Sequence, residues 1–360
     1  MTEPMLTQTA PALTVDGQLR AELSHDLMRL EVEETTEGLK TLSARFLAFG
    51  PRPGVPDGIL HLDGRVFDFG RTFDVALGSG EDPRTVFRGR ISALEADFEE
   101  GSVPEVVVFA EDRFMDLRTT RRMRTYERMS DKAIAEEIAA QHGLTAEVDA
   151  DGPTYDLVQQ WNVSDLAFLR ERARRLRAEV WVQDDTLFFK SRDKRGATEL
   201  TLVQGDHLLR LQARADLAHQ RTAVRVCGYD AADRAAIDEE AGGDVIQSEI
   251  AGGRTGPDVL KRAFGERVSH RVREVPLTSS EAADWARADM LRRCRSFVQV
   301  AGTTRGSADL VVGSGLTLQR VGPPFEGAGY HATRVRHTFD QEQGFRTHFE
   351  AERPTIEEGA

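Results

Sequence analysis

Val86-Phe87-Arg88-Gly89-Arg90-Ile91-Ser92-Ala93, and after it Pro104-Glu105-Val106-Val107-Val108-Phe109-Ala110-Glu111-Asp112, are the stretches from which the fold is read. In the first, Phe87, Gly89, Ile91 and Ala93 alternate with Arg88, Arg90 and Ser92. Successive side chains of a strand point to opposite faces, so this alternation predicts a strand with one face on a core and the other in water. In the second, Val106 to Phe109 are apolar without alternation, the pattern of a strand covered on both faces. Pro104, which cannot donate to a hydrogen-bond ladder, marks where that strand begins.

Towards the N-terminus the same signals recur. Phe73, Val75 and Leu77 alternate, and Asp16-Gly17, Asp57-Gly58 and Asp63-Gly64 are turn dipeptides. Residues 13–109 therefore predict an antiparallel barrel or sandwich, preceded by a tail of residues 1–12. Towards the C-terminus the period becomes helical. Ser130 is placed to cap a helix that carries Ile134 and Ile138 one turn apart and stops at Gly143. A second helix starts at Ser164, with Leu166, Leu169, Ala173 and Leu176 on one stripe, and leads into a hairpin that turns at Asp184-Asp185. Residues 110–192 thus predict an α+β domain. Strands resume within 193–352, with a final pair joined near Gln343-Gly344, and residues 353–360 form a tail. Inside this last region, residues 230–296 predict an insertion. It comprises a glycine-rich loop without periodicity and a helix opened by the capping-box pair Thr278 and Glu281, with Trp285, Ala288 and Leu291 as its apolar stripe.

The 360 residues exceed what one hydrophobic core usually serves, which agrees with several domains. Sixty acidic against 47 basic residues give a formal charge of -13, and this argues against a protein whose main work is holding a phosphate backbone. Cys227 and Cys294 are too few for a disulfide framework. Residues 1–11 lack the pattern of a signal peptide, and no run of 18 apolar residues occurs, so the expectation is synthesis and assembly in the cytoplasm without a membrane span.

The order of these pieces resembles the late control gene D family of phage tail proteins and the hub portion of VgrG proteins. The residues that carry the resemblance are the strand Phe87 to Ile91, the strand ending at Asp112, Leu117, the basic segment Arg118 to Arg128, and His142-Gly143-Leu144. Gln159-Gln160 before Ser164 to Leu169 also match, as do Gly329-Tyr330-His331 and Val335-Arg336-His337. The resemblance implies a mainly β fold with an α+β insertion, in which each subunit contributes two β-barrel tube domains to a trimeric, pseudo-sixfold ring. It implies a structural baseplate hub of a contractile phage tail or injection system. The expected partners are two further copies of the chain, the tail tube ring, a separate spike and baseplate wedge proteins, in a particle assembled in the cytoplasm. The chain stops near Ala360 without the domain and needle that follow the hub in full-length VgrG, hence the expectation of a separate spike. The alternatives are the hub half of a VgrG-type secretion spike and a tail-associated cell-wall hydrolase.

Catalytic spacings are missing: the sequence holds no H-E-x-x-H, no Walker A and no G-x-S-x-G. The expectation is a protein without catalytic, cofactor or metal residues. His331, His337 and His348 are expected as ordinary strand-surface histidines, and Glu99-Glu100 as turn residues. Trp161, Trp181 and Trp285 are expected in the core, and both cysteines as inert buried thiols. Arg118, Arg121, Arg122, Arg124 and Arg128, with Tyr126 among them, form the sharpest basic cluster. They are either a solvated loop or a surface for an acidic partner, to which guanidinium groups are suited.

Overall fold

The computed structural model describes residues 10–52, 55–78, 83–150, 152–231, 233–272, 276 and 278–357. The protein is 50% strand and 21% helix. Its main feature is a sheet of 13 strands that runs through both ends of the chain. From one edge the order is Leu208–Ala215, Val298–Arg305, Gly344–Arg353 and Gly327–Asp340, and then Leu27–Thr35, Thr41–Leu47, Glu105–Glu111, Arg84–Asp97, Thr72–Leu77 and Ala12–Val15, each pair antiparallel. The pair Leu27–Thr35 with Gly327–Asp340 is the seam between the two halves, with Arg334 opposite Thr35 and Asp340 opposite Arg29.

Each half buries its own core. Leu13, Leu30, Phe46, Phe73, Phe87 and Val108 fill the first, and Val300, Leu316, Leu318, Tyr330 and Phe349 the second. Neither half is the closed barrel that the sequence suggested, because no sheet closes. Closure requires the last free edge of a half to pair with its first strand. Here the Leu27–Thr35 edge is already hydrogen-bonded to the other half.

The predicted strands lie where the patterns put them, with one departure. Phe87, Gly89 and Ile91 are buried, but a register shift between Ile91 and Ala93 turns Ala93 out to solvent. Gly89 is required by close packing, since a Cβ there would sit 2.3 Å from the Glu111 carbonyl oxygen. Asp57-Gly58, expected as a turn, belongs to the strand Val55–Ile59.

The α+β domain packs helices Asp131–Gln141 and Asp165–Arg175 against the strands Thr145–Asp149, Ala178–Gln183 and Thr186–Ser191. Its predicted caps are present: Ser130 Oγ accepts from the Ala133 amide at 3.3 Å and Ser164 Oγ from the Ala167 amide at 3.2 Å. Gly143 has φ +65° just beyond the first helix. The buried Arg172 pairs with the buried Asp131 and lies 4.4 Å over the Tyr155 ring.

The domain is fixed to the seam by ion pairs. Arg195 reaches Glu34 at 2.5 Å and Glu179 at 3.2 Å, Lys40 reaches Glu34 at 2.9 Å, and Arg192 bridges Glu179 at 3.2 Å and Glu352 at 2.7 Å. Burial alone would raise the Glu34 carboxyl, but Lys40 and Arg195 hold it below its usual range. Gly38, at φ +65°, comes so close to the Val180 carbonyl that a Cβ would lie 2.4 Å from its oxygen.

Residues 230–296, expected as a loop and a helix, instead contain a further small domain. Strand Ala235–Gly242 pairs antiparallel with Ala223–Asp230, which pairs in parallel with Val268–Arg271. Helix Ser279–Arg295 packs on them around Val226, Ile237, Trp285 and Met290. The Ala235–Gly242 strand escaped the sequence reading because one of its three inward positions, Ile237, Glu239 and Ala241, is charged. Among the described residues no helix is long and apolar enough to cross a membrane.

Two histidines expected on the strand surface depart from that role, His337 being interior and His331 half-buried. His331 is pushed down to about 2 by burial and by Arg192, Arg295 and Arg195. Burial, reinforced by Lys40 and opposed by Glu34, pushes His337 down to about 3, and its Nδ1 lies 3.1 Å from Thr347 Oγ1. The folded protein therefore holds His337 neutral while the unfolded chain protonates near 6.5. The stability it contributes is present above that value and is lost as pH falls towards 3, at about 1.4 kcal/mol per unit. Urea unfolding at pH 6.5 and 4.5 is expected to show wild type losing about 2.5 kcal/mol more than His337→Gln over that interval.

Candidate partner interface

The basic segment is not a loop. Arg118 lies in the last turn of helix Phe114–Thr119, and Arg121–Ser130 is a strand that among the described residues pairs only with Thr154–Ser164, forming a two-stranded ribbon along the α+β domain. The ribbon has a buried side and an open side, set by alternation.

On the buried side, Arg122 Nε donates to both carboxylate oxygens of Asp165, at 3.1 and 2.9 Å. Asp165, itself fully buried, also accepts from Gln160 Nε2 at 2.8 Å, and His142 Nε2 lies 2.8 Å away. The Tyr126 hydroxyl donates to Gln160 Oε1 at 3.2 Å, and its ring stacks on Phe168 with centroids 5.7 Å apart. Burial raises the Tyr126 hydroxyl above its ordinary value. Arg124 covers the Tyr126 ring at 4.9 Å and pairs with Glu137.

Among the five arginines singled out in the sequence, Arg118, Arg122 and Arg124 therefore spend their charge inside the chain, on Glu111, Asp165 and Glu137. The other two face outward. Arg121 donates to Asn162 rather than to a carboxylate, and Arg128, at φ +50°, has no ion pair among the described residues. The open side carries Met123, 76% exposed, directly opposite Trp161, 66% exposed, and four residues further along it the exposed Leu157 lies opposite the exposed Glu127. Trp161 thus departs from the core role expected of it, whereas Trp181 and Trp285 are buried. Cys227 departs likewise, being half-buried beside Asp238, while Cys294 is interior. The signal for the missed apolar residues lay in the alternation: Tyr126, Val158 and Gln160 point inward, so Met123, Leu157 and Trp161 point out.

The exposed Met123 and Trp161, with Arg121 next to them, are side chains of the kind that anchor protein contacts, while the other end of the open side carries Glu127 beside Leu157.

The fold is shared with proteins of known structure. A 43 kDa tail protein of prophage MuSo2 from Shewanella oneidensis superposes with a TM-score of 0.70 at 13% identity, over 96% of this chain and 98% of that one. A tail protein from Neisseria meningitidis MC58 gives 0.67 at 12% identity, over 96% and 97%. The E. coli c3393 protein, a component of the type VI secretion system, gives 0.55 at 13% identity, over 93% and 76%. No curated protein matches the sequence. The family model that matches, over residues 62–341, is not the late control gene D family expected above; its description is the Alg8 N-terminal domain. That match runs through most of the chain, which belongs to the Alg8 N-terminal domain family.

Proposed function

We propose that this chain is a non-catalytic structural hub of a contractile phage tail or a related injection machine. Three copies form a ring that adapts a sixfold tail tube to a threefold central spike. The observation that carries the reading is end-to-end likeness: almost the whole chain shares its fold with almost the whole of a prophage tail protein. The two β-rich halves support it, because a subunit with two halves, each with its own core, lets three chains offer six similar units to the tube. A head-to-tail contact whose rotation closes gives such a ring. The shared fold of a type VI secretion component supports a second reading, the hub half of a secretion spike.

Light scattering on the purified protein is expected to give three times the 40.0 kDa chain mass. A stable monomer that clears peptidoglycan would instead establish a cell-wall hydrolase. Co-purification from the producing cell separates the two structural readings: tube and baseplate proteins with the hub support a tail, secretion components support the spike.

A further inference from the structure

The two β-rich halves repeat one another over five strands. Leu27–Thr35, Thr41–Leu47, Glu105–Glu111, Arg84–Asp97 and Thr72–Leu77 lie side by side in the first. Leu208–Ala215, Val298–Arg305, Gly344–Arg353, Gly327–Asp340 and Gly315–Gln319 lie in the same order in the second. The halves differ at the next strand, Ala12–Val15 being antiparallel to its neighbour and Glu199–Val203 parallel. Two irregularities fix the correspondence residue by residue. The register shifts between Leu27 and Arg29 in one half and between Leu208 and Arg210 in the other. It shifts again between Ile91 and Ala93, and between Ala332 and Arg334. A bulge breaks a ladder at one defined place, so bulges at matching places align the strands without freedom to slide. Arg29 thus corresponds to Arg210, Thr35 to Asp216, Arg334 to Ala93 and Asp340 to Glu99.

The seam joins the first strand of one half, Leu27–Thr35, to the outer end of the fourth strand of the other, residues 334–340. The same two pieces occur a second time with their edges open. Among the described residues, Arg84–Asp97 pairs beyond Arg90 only with Glu105–Glu111. Leu208–Ala215, apart from a bridge between Leu208 and Gln204, pairs only with Val298–Arg305. Each presents a row of backbone donors and acceptors, the usual template for a further strand. Strands of both halves lie between them, and one chain does not pair them. Phe98 is accordingly 60% exposed, whereas Phe339, at the equivalent place in the seam with Leu30 opposite it, is 9% exposed.

We infer that Leu208–Ala215 of one copy pairs antiparallel with the outer end of Arg84–Asp97 of the next, in the register of the seam. The residue types fit that register on both faces. Away from the core, Glu95 falls opposite Arg214, Asp97 opposite Gln212 and Glu99 opposite Arg210. At those places the seam has Arg336 opposite Glu33, Thr338 opposite Glu31 and Asp340 opposite Arg29. Glu95, Asp97, Glu99 and Arg210 have no ion pair among the described residues, and the exposed Arg214 pairs within the chain with Asp216. On the core face Phe98 meets Leu211, as Phe339 meets Leu30. A register one residue off would turn Phe98 and the carboxylates to the wrong faces. The contact joins two different edges, so it repeats head to tail, continues the rotation that the seam sets between halves, and closes into a ring when that rotation permits. The inference rests on the trimer proposed above and names the strands that make it.

The test is a cross-link that depends on register, with charge reversal beside it. Asp97→Cys and Gln212→Cys are placed in one chain that also carries Cys227→Ser, and the protein is oxidised. Residues directly opposite on antiparallel strands have Cβ atoms about 5 Å apart. A disulfide-linked trimer is therefore expected on a non-reducing gel, while either cysteine alone gives none and Asp97→Cys with Arg214→Cys gives far less. Sedimentation velocity over a dilution series is run on wild type, on Glu95→Arg/Glu99→Arg, on Arg210→Glu/Arg214→Glu, and on the chain with all four changes. Each pair alone is expected to raise the concentration needed for assembly about tenfold or more, since like charges then meet, and the fourfold variant is expected to recover most of that loss. Circular dichroism identifies any variant that fails to fold, and the cross-link then decides alone. A wild type that stays monomeric at every concentration sinks the trimer, and this contact with it. A wild-type trimer that forms no disulfide between positions 97 and 212, or one indifferent to both reversals, leaves the trimer standing and overturns the contact.

Discussion

Asp165→Ala is expected to lower the free energy of unfolding by about 3–5 kcal/mol, the range for breaking a buried charge pair from one side. The carboxylate is wholly interior, and three side chains converge on it: Arg122, Gln160 and His142. Removing it leaves the Arg122 charge and a Gln160 donor facing apolar surroundings, where an unmade hydrogen bond costs more than a made one contributes. The same carboxylate opens helix Asp165–Arg175, and the Asp165 amide donates to the Thr120 carbonyl at 2.9 Å, so the loss loosens the ribbon and the helix together. Arg118→Ala is the contrast. Its partner is Glu111, but the Arg118 side chain is 46% exposed, and solvent screens such pairs to about 1 kcal/mol or less. Urea unfolding of both variants beside wild type decides the matter; equal costs would mean that Asp165 is not the centre of the network.

Arg195→Ala is expected to cost a similar amount, again about 3–5 kcal/mol, with a different signature. Arg195 is buried between Glu34 of the seam strand and Glu179 of the α+β domain, and its guanidinium lies 4.6 Å over the Trp181 ring. Without it, Glu34 keeps Lys40 and Glu179 keeps Arg192, but the cation that bridges the two carboxylates across the joint between domains is lost. Hydrogen exchange is expected to rise along residues 178–195 and 34–40 while the interior of helix Asp131–Gln141 stays protected, because the domain keeps its own core. Uniform deprotection of the whole chain would show that Arg195 supports global stability rather than the joint.

The sequence was most legible where structure is decided by near neighbours. Ser130, Ser164 and Thr278 cap helices because a cap needs only the next three residues, and each was placed correctly. The Val106 to Phe109 strand was equally plain, since a continuous apolar run has few other uses. What the residues concealed is long-range. Nothing in Leu27–Thr35 announces that its partner lies about three hundred residues later, so two closed barrels were expected where one sheet passes between the halves. At the interface the charges were visible, but their fate was not. Arg121 and Arg122 are adjacent in sequence, yet one faces solvent and the other a buried carboxylate. That distinction depends on the partner strand and on the register shift between Arg122 and Met123.

The seam also has a mechanical meaning. Its seven facing residue pairs, from Arg334 opposite Thr35 to Asp340 opposite Arg29, lie side by side along two antiparallel strands. A pull along the strands loads that whole ladder at once, with the Arg334–Glu33 and Arg336–Glu31 pairs in parallel with it. A pull across the strands opens it one rung at a time. The seam is therefore stiffer to a pull along its strands than to one that splays them apart.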